Sequence, residues 1–323
     1  MILRVTVIAF AIFVGAVWAI NASVFAPKPT GSLKIIAHRG VHQTYHREDL
    51  EAQTCTATRI DPPTHGFLEN TLPSMAAAFE AGADVVEIDI HLTTDGRFAV
   101  FHDWTLDCRT EGTGRTRDHS LAELQALDVG FGYTADGGET FPFRGLGVGL
   151  LPSLTEVLDA FPNGRFLINF KSNDPAEGEA LVALINAAPE RRSQIWGVYG
   201  GARPTAAVQE AVPGMRGFAK PAMKACAIGY LKTAWMGRTP RACRGAVVAV
   251  PISHARLVWG WPHRFLDRME AAGTTVILAG RLEDTLGLPA IDDAETLSKA
   301  PTGFSGYIWT NRVEVIGPAA RAP

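Results

Sequence analysis

In the run VVEIDIHLTTDGRFAVFHD (85–103), Glu87, Asp89 and His91 stand at alternate positions, and the run closes on His102-Asp103. Residues two apart in a strand share a face, so both acids project together with Val86, Ile88 and Ile90 opposite. Two adjacent carboxylates repel one another and lose hydration when buried. Such a pair persists where a cation, a proton or a basic group lies between them. Hard oxygen ligands of this kind suit a divalent cation such as Ca²⁺ or Mg²⁺. A histidine nearby adds a group that titrates near neutral pH. A wet polar face on an edge strand would carry the same alternation, so the elements around the run must decide.

Those elements alternate. KIIAH (34–38), DVVEIDI (84–90), RFAVFH (97–102), RFLINFK (165–171) and QIWGVYG (194–200) read as strands, followed by GMRGFAK (214–220), GAVVAVPI (245–252), TTVILAG (274–280) and SGYIWTN (305–311). Helical stretches separate them. TLPSMAAAFEAGA (71–83) has Thr71 as N-cap, Pro73 in its first turn and Gly82 near its end. SLAELQALDVG (120–130) and SLTEVLDAF (153–161) each place Glu three residues after a capping Ser. PAEGEALVALINAA (175–188) and HRFLDRMEAAG (263–273) complete the set. Strand–helix alternation predicts a parallel sheet, and one inner strand per unit gives about eight, the (β/α)8 barrel. A doubly wound open sheet is the alternative. It is weakened because no glycine-rich dinucleotide fingerprint follows the first strand. In a barrel, His38 and Arg39, Glu87 and Asp89, Lys171, and Thr310 with Asn311 all sit near strand ends that converge on one mouth.

With 323 residues, 47% hydrophobic and 20% charged, the chain can bury a large core. A net charge of −3 gives no basic field for nucleic acid. VTVIAFAIFVGAVWAI (5–20) is an unbroken apolar run, followed by small residues and the linker-like APKPTGS (26–32). Residues 1–24 therefore read as a signal peptide or an uncleaved membrane anchor, 25–33 as a linker and 34–317 as the barrel. Both readings of the first segment place the body outside the cytoplasm, periplasmic or secreted, and an uncleaved segment would hold it to the membrane. Cys55, Cys108, Cys226 and Cys243 form no CxxC pair. An even count in an exported chain favours disulfides. Of the three possible pairings, Cys55–Cys108 and Cys226–Cys243 are expected.

AHRG (37–40), ENT (69–71), EIDIHLTTDG (87–96) and VFHDWTLDCRTEGTG (100–114), with LPSLTEVL (151–158), resemble the glycerophosphodiester phosphodiesterase family. The resemblance is strong from about residue 34 to 171 and weak through GYIWTN near the end. It implies a TIM-type barrel and metal-dependent hydrolysis of small or lipid-derived phosphodiesters. It assigns His38 and His102 to acid–base catalysis, and Glu87 and Asp89, with Asn169, to the metal. Arg39 and Lys171 suit phosphate oxygens, and Glu69 and Asn70 of the ENT motif line the site. Asp103 is expected to orient the turn or His102 rather than to bind metal. His91 is expected to be structural or to support the site residues from behind, and His42, His46, His65 and His119 to be ordinary polar residues.

Three departures from the family pattern stand out. The stretch 46–68 lengthens the gap between His38 and Glu69, as a specificity loop or lid at the mouth or as a disulfide-pinned decoration. Asn169 stands where the family places Glu, so a cation loses one anionic ligand, with Asp174 or Glu69 as candidates to compensate. Asn311 stands where the family tends to have Asp. Asn169 also sustains an alternative from another class, a catalytically silent barrel that binds a phosphorylated ligand. A lysophospholipase D-like activity is a close variant of the main reading. WMGRTP (235–240) and VWGWP (258–262) are candidate apolar loops for it, although core packing or membrane-side contact explains those tryptophans better.

Overall fold

Among the described residues, short runs rich in Val, Ile and Phe form nine strands: β1 (Lys34–His38), β2 (Val85–Leu92), β3 (Phe98–Val100), β4 (Phe166–Phe170), β5 (Ile195–Gly200), β6 (Gly217–Phe218), β7 (Val247–Pro251), β8 (Thr275–Ala279) and β9 (Tyr307–Thr310). The computed structural model describes residues 2–51, 54–282 and 288–321. Eight strands run parallel in the order β6-β5-β4-β2-β1-β9-β8-β7, with β3 antiparallel on β2 beside this path. The result is a nearly closed (β/α)8 barrel, in which the edges β6 and β7 are the two ends of the hydrogen-bonded path.

Among the described residues ten α-helices accompany the strands: α1 (Ile2–Asn21), α2 (Leu72–Ala81), α3 (Leu121–Gln125), α4 (Leu154–Ala160), α5 (Pro175–Ala187), α6 (Ala202–Ala211), α7 (Lys220–Thr233), α8 (His263–Ala271), α9 (Ala294–Leu297) and α10 (Val313–Arg321). Their starts follow the expected chemistry. The Thr71 hydroxyl accepts from the Ser74 N–H, and both Ser120–Glu123 and Ser153–Glu156 form complete capping boxes. Gly82 ends α2 at φ 107°, a conformation that suits glycine.

Two strand expectations are corrected. Within 97–102 only Phe98–Val100 pairs, on an extension of β2 outside the barrel wall. Within 214–220 only Gly217 and Phe218 form a strand, because Gly214 turns at φ 74° and α7 begins at Lys220-Pro221. The helix expected over 120–130 stops at Gln125, because the Asp128 carboxylate gathers the N–H groups of Gly130, Gly145 and Gly147 into a loop.

The barrel interior is filled by Ile36, Val85, Leu167, Trp196, Val247 and Ile277, among others, and a larger layer packs the sheet against the helices. Full burial of such side chains contributes about 1.5–3 kcal/mol each. A third cluster joins Ala57, Ile60 and Leu68 of the 46–68 stretch to Leu106, Leu121 and Leu151. Disulfides Cys55–Cys108 and Cys226–Cys243 form as expected. The first ties the 46–68 stretch, apart from positions 52 and 53 outside the described residues, to the segment after β3. The pair of disulfides and the apolar α1 are compatible with export.

Candidate active site

Register assembles the site. β1 pairs β2 with His38 beside Glu87, β2 pairs β4 with Asp89 beside Asn169, and β9 ends at Thr310 next to Ala37. Residues far apart in sequence thereby meet at the carboxyl ends of the strands, where barrel loops build sites.

Just past β1 the chain turns sharply. Arg39 has φ 59° and Gly40 has φ 78°, and a Cβ on Gly40 would stand 2.2 Å from the Ser74 hydroxyl. Asn70 also has φ 59°. Left-handed backbone in residues other than glycine costs energy and persists where the surroundings enforce it. Here they do: the Arg39 N–H donates to Glu87 Oε2 at 3.2 Å, and the Arg39 carbonyl accepts from Asn70 N at 3.1 Å and Ser74 Oγ at 3.1 Å.

Glu87 and Asp89 are both fully buried, yet their environments differ. Asp89 is surrounded by donors: Asn169 Nδ2 at 2.8 Å and Lys171 Nζ at 3.2 Å on Oδ1, Asn70 Nδ2 at 3.0 Å and Arg39 Nε at 3.2 Å near Oδ2. Burial alone would push this carboxyl up, but Lys171, His102 and Arg39 hold it well below the usual aspartate range. Glu87 accepts from the Tyr199 hydroxyl at 2.6 Å and from the Arg39 N–H, with His38 Nε2 at 3.8 Å. Among the described residues no guanidinium or ammonium sits on it. Burial and the charge of Asp89 push its carboxyl up to about 8.

An ionic chain runs from the second histidine. His102 Nδ1 lies 2.6 Å from Asp103 Oδ1, and Arg109 Nε lies 3.0 Å from Asp103 Oδ2. Arg109 also approaches Glu69 at 3.5 Å, and Glu69 pairs with Arg39 at 3.2 Å. Burial opposes ionisation of Asp103 and Glu69, and the arginines hold both carboxyls below their ordinary values. Thr56 and Tyr133 hold the rest of the Arg109 guanidinium at 2.7 and 2.8 Å. The inserted 46–68 stretch thus buttresses the site from behind.

His38 has a defined tautomer. Asn311 Nδ2 donates to the Asp292 carboxylate at 2.9 Å, so its Oδ1 faces His38 Nδ1 at 2.7 Å. An amide oxygen only accepts, so Nδ1 carries the proton and the Nε2 lone pair points toward the Glu87 side. Burial, Arg39 and His42 hold this imidazole well below the ordinary histidine value. His102 is also lowered, by burial and then by Arg39 and Lys171, while Asp103 pulls it the other way.

The residues expected from sequence to serve catalysis, substrate and metal are at the mouth: His38, Arg39, Glu69, Asn70, Glu87, Asp89, His102, Asn169 and Lys171. Asn169 turns its amide nitrogen to Asp89, with its oxygen toward Gly200. Asp174 is elsewhere, capping α5 and pairing with Arg117 at 3.0 Å. His91 is fully buried beside Trp104 with neither ring nitrogen bonded, and burial then Lys171 lower it to about 3. His42, expected to be ordinary, is buried 6.0 Å from the His38 ring. Sequence reasoning missed Tyr199, Arg109 and Asp292. Arg109 lay inside a quoted motif, beside Cys108. Tyr199 shares the inward alternation of its strand, in register with Asn169. Asp292 carried no local signal.

Among the described residues no group of three or more His, Cys, Asp and Glu is spaced to hold a metal ion. The donor chemistry nonetheless fits a hard cation. Glu87 is a buried carboxyl with no cationic side chain on it, next to an ionised Asp89 and two amide oxygens that a rotation would present.

Residues 38–194 match the model of the glycerophosphoryl diester phosphodiesterase family. A glycerophosphodiester phosphodiesterase of Bacillus subtilis is 38% identical over 123 residues, covering 36% of this chain and 41% of the relative. One of Caldanaerobacter subterraneus is 37% identical over 103 residues, covering 32% and 39%. The chain thus spans about two fifths of the length of these relatives. Among solved structures, a glycerophosphodiester phosphodiesterase from Agrobacterium tumefaciens superposes with TM-score 0.57 at 20% identity, covering 88% of this chain and 99% of that one. An Oleispira antarctica phosphodiesterase, solved with the product sn-glycerol-3-phosphate, gives TM-score 0.55 at 19% identity, covering 93% and 98%. At these identities the superpositions speak for the fold.

Proposed function

We propose that this chain, whose residues 38–194 match the glycerophosphoryl diester phosphodiesterase family model, hydrolyses glycerophosphodiesters to an alcohol and glycerol phosphate. The observation that carries this reading is the pairing of two differently supported histidines around one buried pair of carboxyl groups. A phosphodiester anion resists attack. Its hydrolysis needs charge neutralisation, an activated nucleophile and a protonated leaving oxygen. His38 presents a free Nε2 lone pair, fixed by the Asn311 amide, and serves as base. His102 is backed by a carboxylate, which stabilises its protonated form, and serves as acid toward the leaving oxygen. Arg39 and Lys171 stand at the mouth as donors for the phosphate oxygens.

A divalent cation is part of the proposal. Glu87 and Asp89 would hold it, with the Asn169 amide turned to offer its oxygen. When bound it would polarise a phosphoryl oxygen as a Lewis acid. With Asn169 in place of a carboxylate, affinity is expected to be modest, and Asn169→Glu should tighten it on the order of tenfold through the added charge. The test is turnover of glycerophosphocholine by the full chain after EDTA treatment and readdition of Ca²⁺, Mg²⁺ or Mn²⁺. Restoration in the wild type and its loss in Glu87→Gln are expected. Full turnover in EDTA would remove the cation from the account.

The tautomer argument makes its own prediction. Asn311→Leu keeps the volume but removes the acceptor, so the His38 proton is free to occupy Nε2. We expect kcat to fall roughly tenfold or more with KM little changed, since a mis-set tautomer blocks the base. ¹⁵N spectra of the imidazole should show Nδ1–H in the wild type and mixed tautomers in the variant.

A further inference from the structure

Residues 211–266 contain nine Lys/Arg and no Asp or Glu, while the remainder of the chain holds 21 Lys/Arg against 33 Asp/Glu. In an acidic protein, one contiguous quarter of the barrel is purely cationic. It comprises β6, α7, β7, the loop after β7 and the start of α8. Lys220, Lys224, Lys232, Arg238, Arg241 and Arg256 are exposed there, and none forms an ion pair among the described residues.

The same segment exposes large apolar side chains: Ile228 and Leu231 on α7, Met236 just after it, and Leu257 and Trp259 in the loop after β7. They are tied together. Trp259 Nε1 donates to the Leu231 carbonyl at 3.2 Å, and the Tyr230 hydroxyl donates to the Trp259 carbonyl at 3.0 Å. Basic side chains interleaved with Leu and Trp are the composition of surfaces that lie on anionic lipid.

The apolar α1 continues this face. It has 20 residues and no buried side chain, about 30 Å of helix, the thickness of a bilayer's hydrocarbon core. Its end is built into the barrel. Arg268, itself buried, donates to the Ile20 carbonyl at 3.0 Å and to Asn21 Oδ1 at 3.0 Å. Asn21 Nδ2 donates to the Trp235 carbonyl at 3.1 Å, and Phe13 meets the Trp235 ring at 5.9 Å. Ser23 Oγ donates to the Gly260 carbonyl at 2.9 Å, and Arg264 to the Phe25 carbonyl at 2.8 Å. The loop after β7 leaves the carboxyl end of its strand, the end on which the candidate active site stands.

We propose that α1, α7 and the loop after β7 form one continuous docking face that seats this flank of the barrel on an anionic bilayer surface. The apolar side chains enter the headgroup boundary, and the unpaired cations meet lipid phosphates. The face does not depend on hydrolysis, so its test reads position rather than turnover.

The full chain is reconstituted into vesicles of phosphatidylcholine alone or mixed with phosphatidylglycerol. A polarity-sensitive fluorophore is placed singly at Leu231→Cys, at Leu257→Cys or, as a control across the barrel, at Glu179→Cys on α5. The expected result is a blue shift and quenching by a lipid-borne quencher at 231 and 257, absent at 179. Both signals should grow with phosphatidylglycerol, and they should be lost in high salt and in the exposed-charge variant Lys224→Glu/Lys232→Glu/Arg238→Glu. Labels at 231 and 257 that stay in water while α1 is inserted would overturn the proposal. So would quenching indifferent to lipid charge.

Discussion

Replacing His102 by alanine is expected to lower kcat by about 10²–10⁴-fold, the range that a positioned proton-transfer group contributes. KM should change little, because Arg39 and Lys171 remain to bind the phosphate. The His102 side chain is only partly buried, so the variant should fold. The companion variant Asp103→Asn separates two roles. It keeps the hydrogen-bonding shape at Nδ1 but removes the charge that favours the imidazolium. It should therefore lose a smaller factor, with rates following pH differently from the wild type. Steady-state rates with glycerophosphocholine across pH check both. An unaltered kcat in His102→Ala would remove this residue from the chemistry.

The largest expected effect on stability falls on a residue that carries none of the chemistry. Arg109 is buried between Asp103 and Glu69. Arg109→Met keeps much of the side chain's bulk and leaves two buried carboxylates short of a countercharge. Breaking a buried ionic cluster in this way costs about 3–5 kcal/mol. The pH sign follows. Both carboxyls have depressed values in the folded protein. Their stabilisation is therefore complete above the ordinary carboxylate range and is lost as pH falls through the folded values. In the variant, the folded values rise, so acid unfolding should begin at a higher pH than in the wild type. Denaturant midpoints measured across pH test both statements, and equal midpoints at neutral pH would contradict them.

The contrast between these residues explains what was legible in the sequence. His38, Glu87, Asp89, His102 and Lys171 sit at the ends of apolar runs, and a period of two fixes their faces without knowledge of the fold. The caps at Thr71, Ser120 and Ser153 are equally local, and the two disulfides, 53 and 17 residues apart, follow the pairing expected for an exported chain. Arg109, Tyr199 and Asp292 act through partners 40, 112 and 19 residues away, namely Glu69, Glu87 and Asn311. Parallel register is what brings at least Tyr199 to its partner, and register is a long-range property. The shortening of 214–220 to a two-residue strand has a similar cause: its composition suits a strand, but Gly214 and Pro221 leave room for only two paired residues. α6 and α7 lack side-chain N-caps, and α7 carries only Pro221 in its first turn as a start signal.

The central claim is that this site cleaves a phosphodiester by adding water at phosphorus. The direct measurement is turnover of glycerophosphocholine by the full chain in ¹⁸O-enriched water with a divalent cation, followed by mass analysis of the products. The account predicts glycerol phosphate carrying one ¹⁸O on phosphorus, and the released choline unlabelled. A folded chain that binds glycerophosphodiesters yet forms no product with any cation would contradict it and leave a binding barrel in its place.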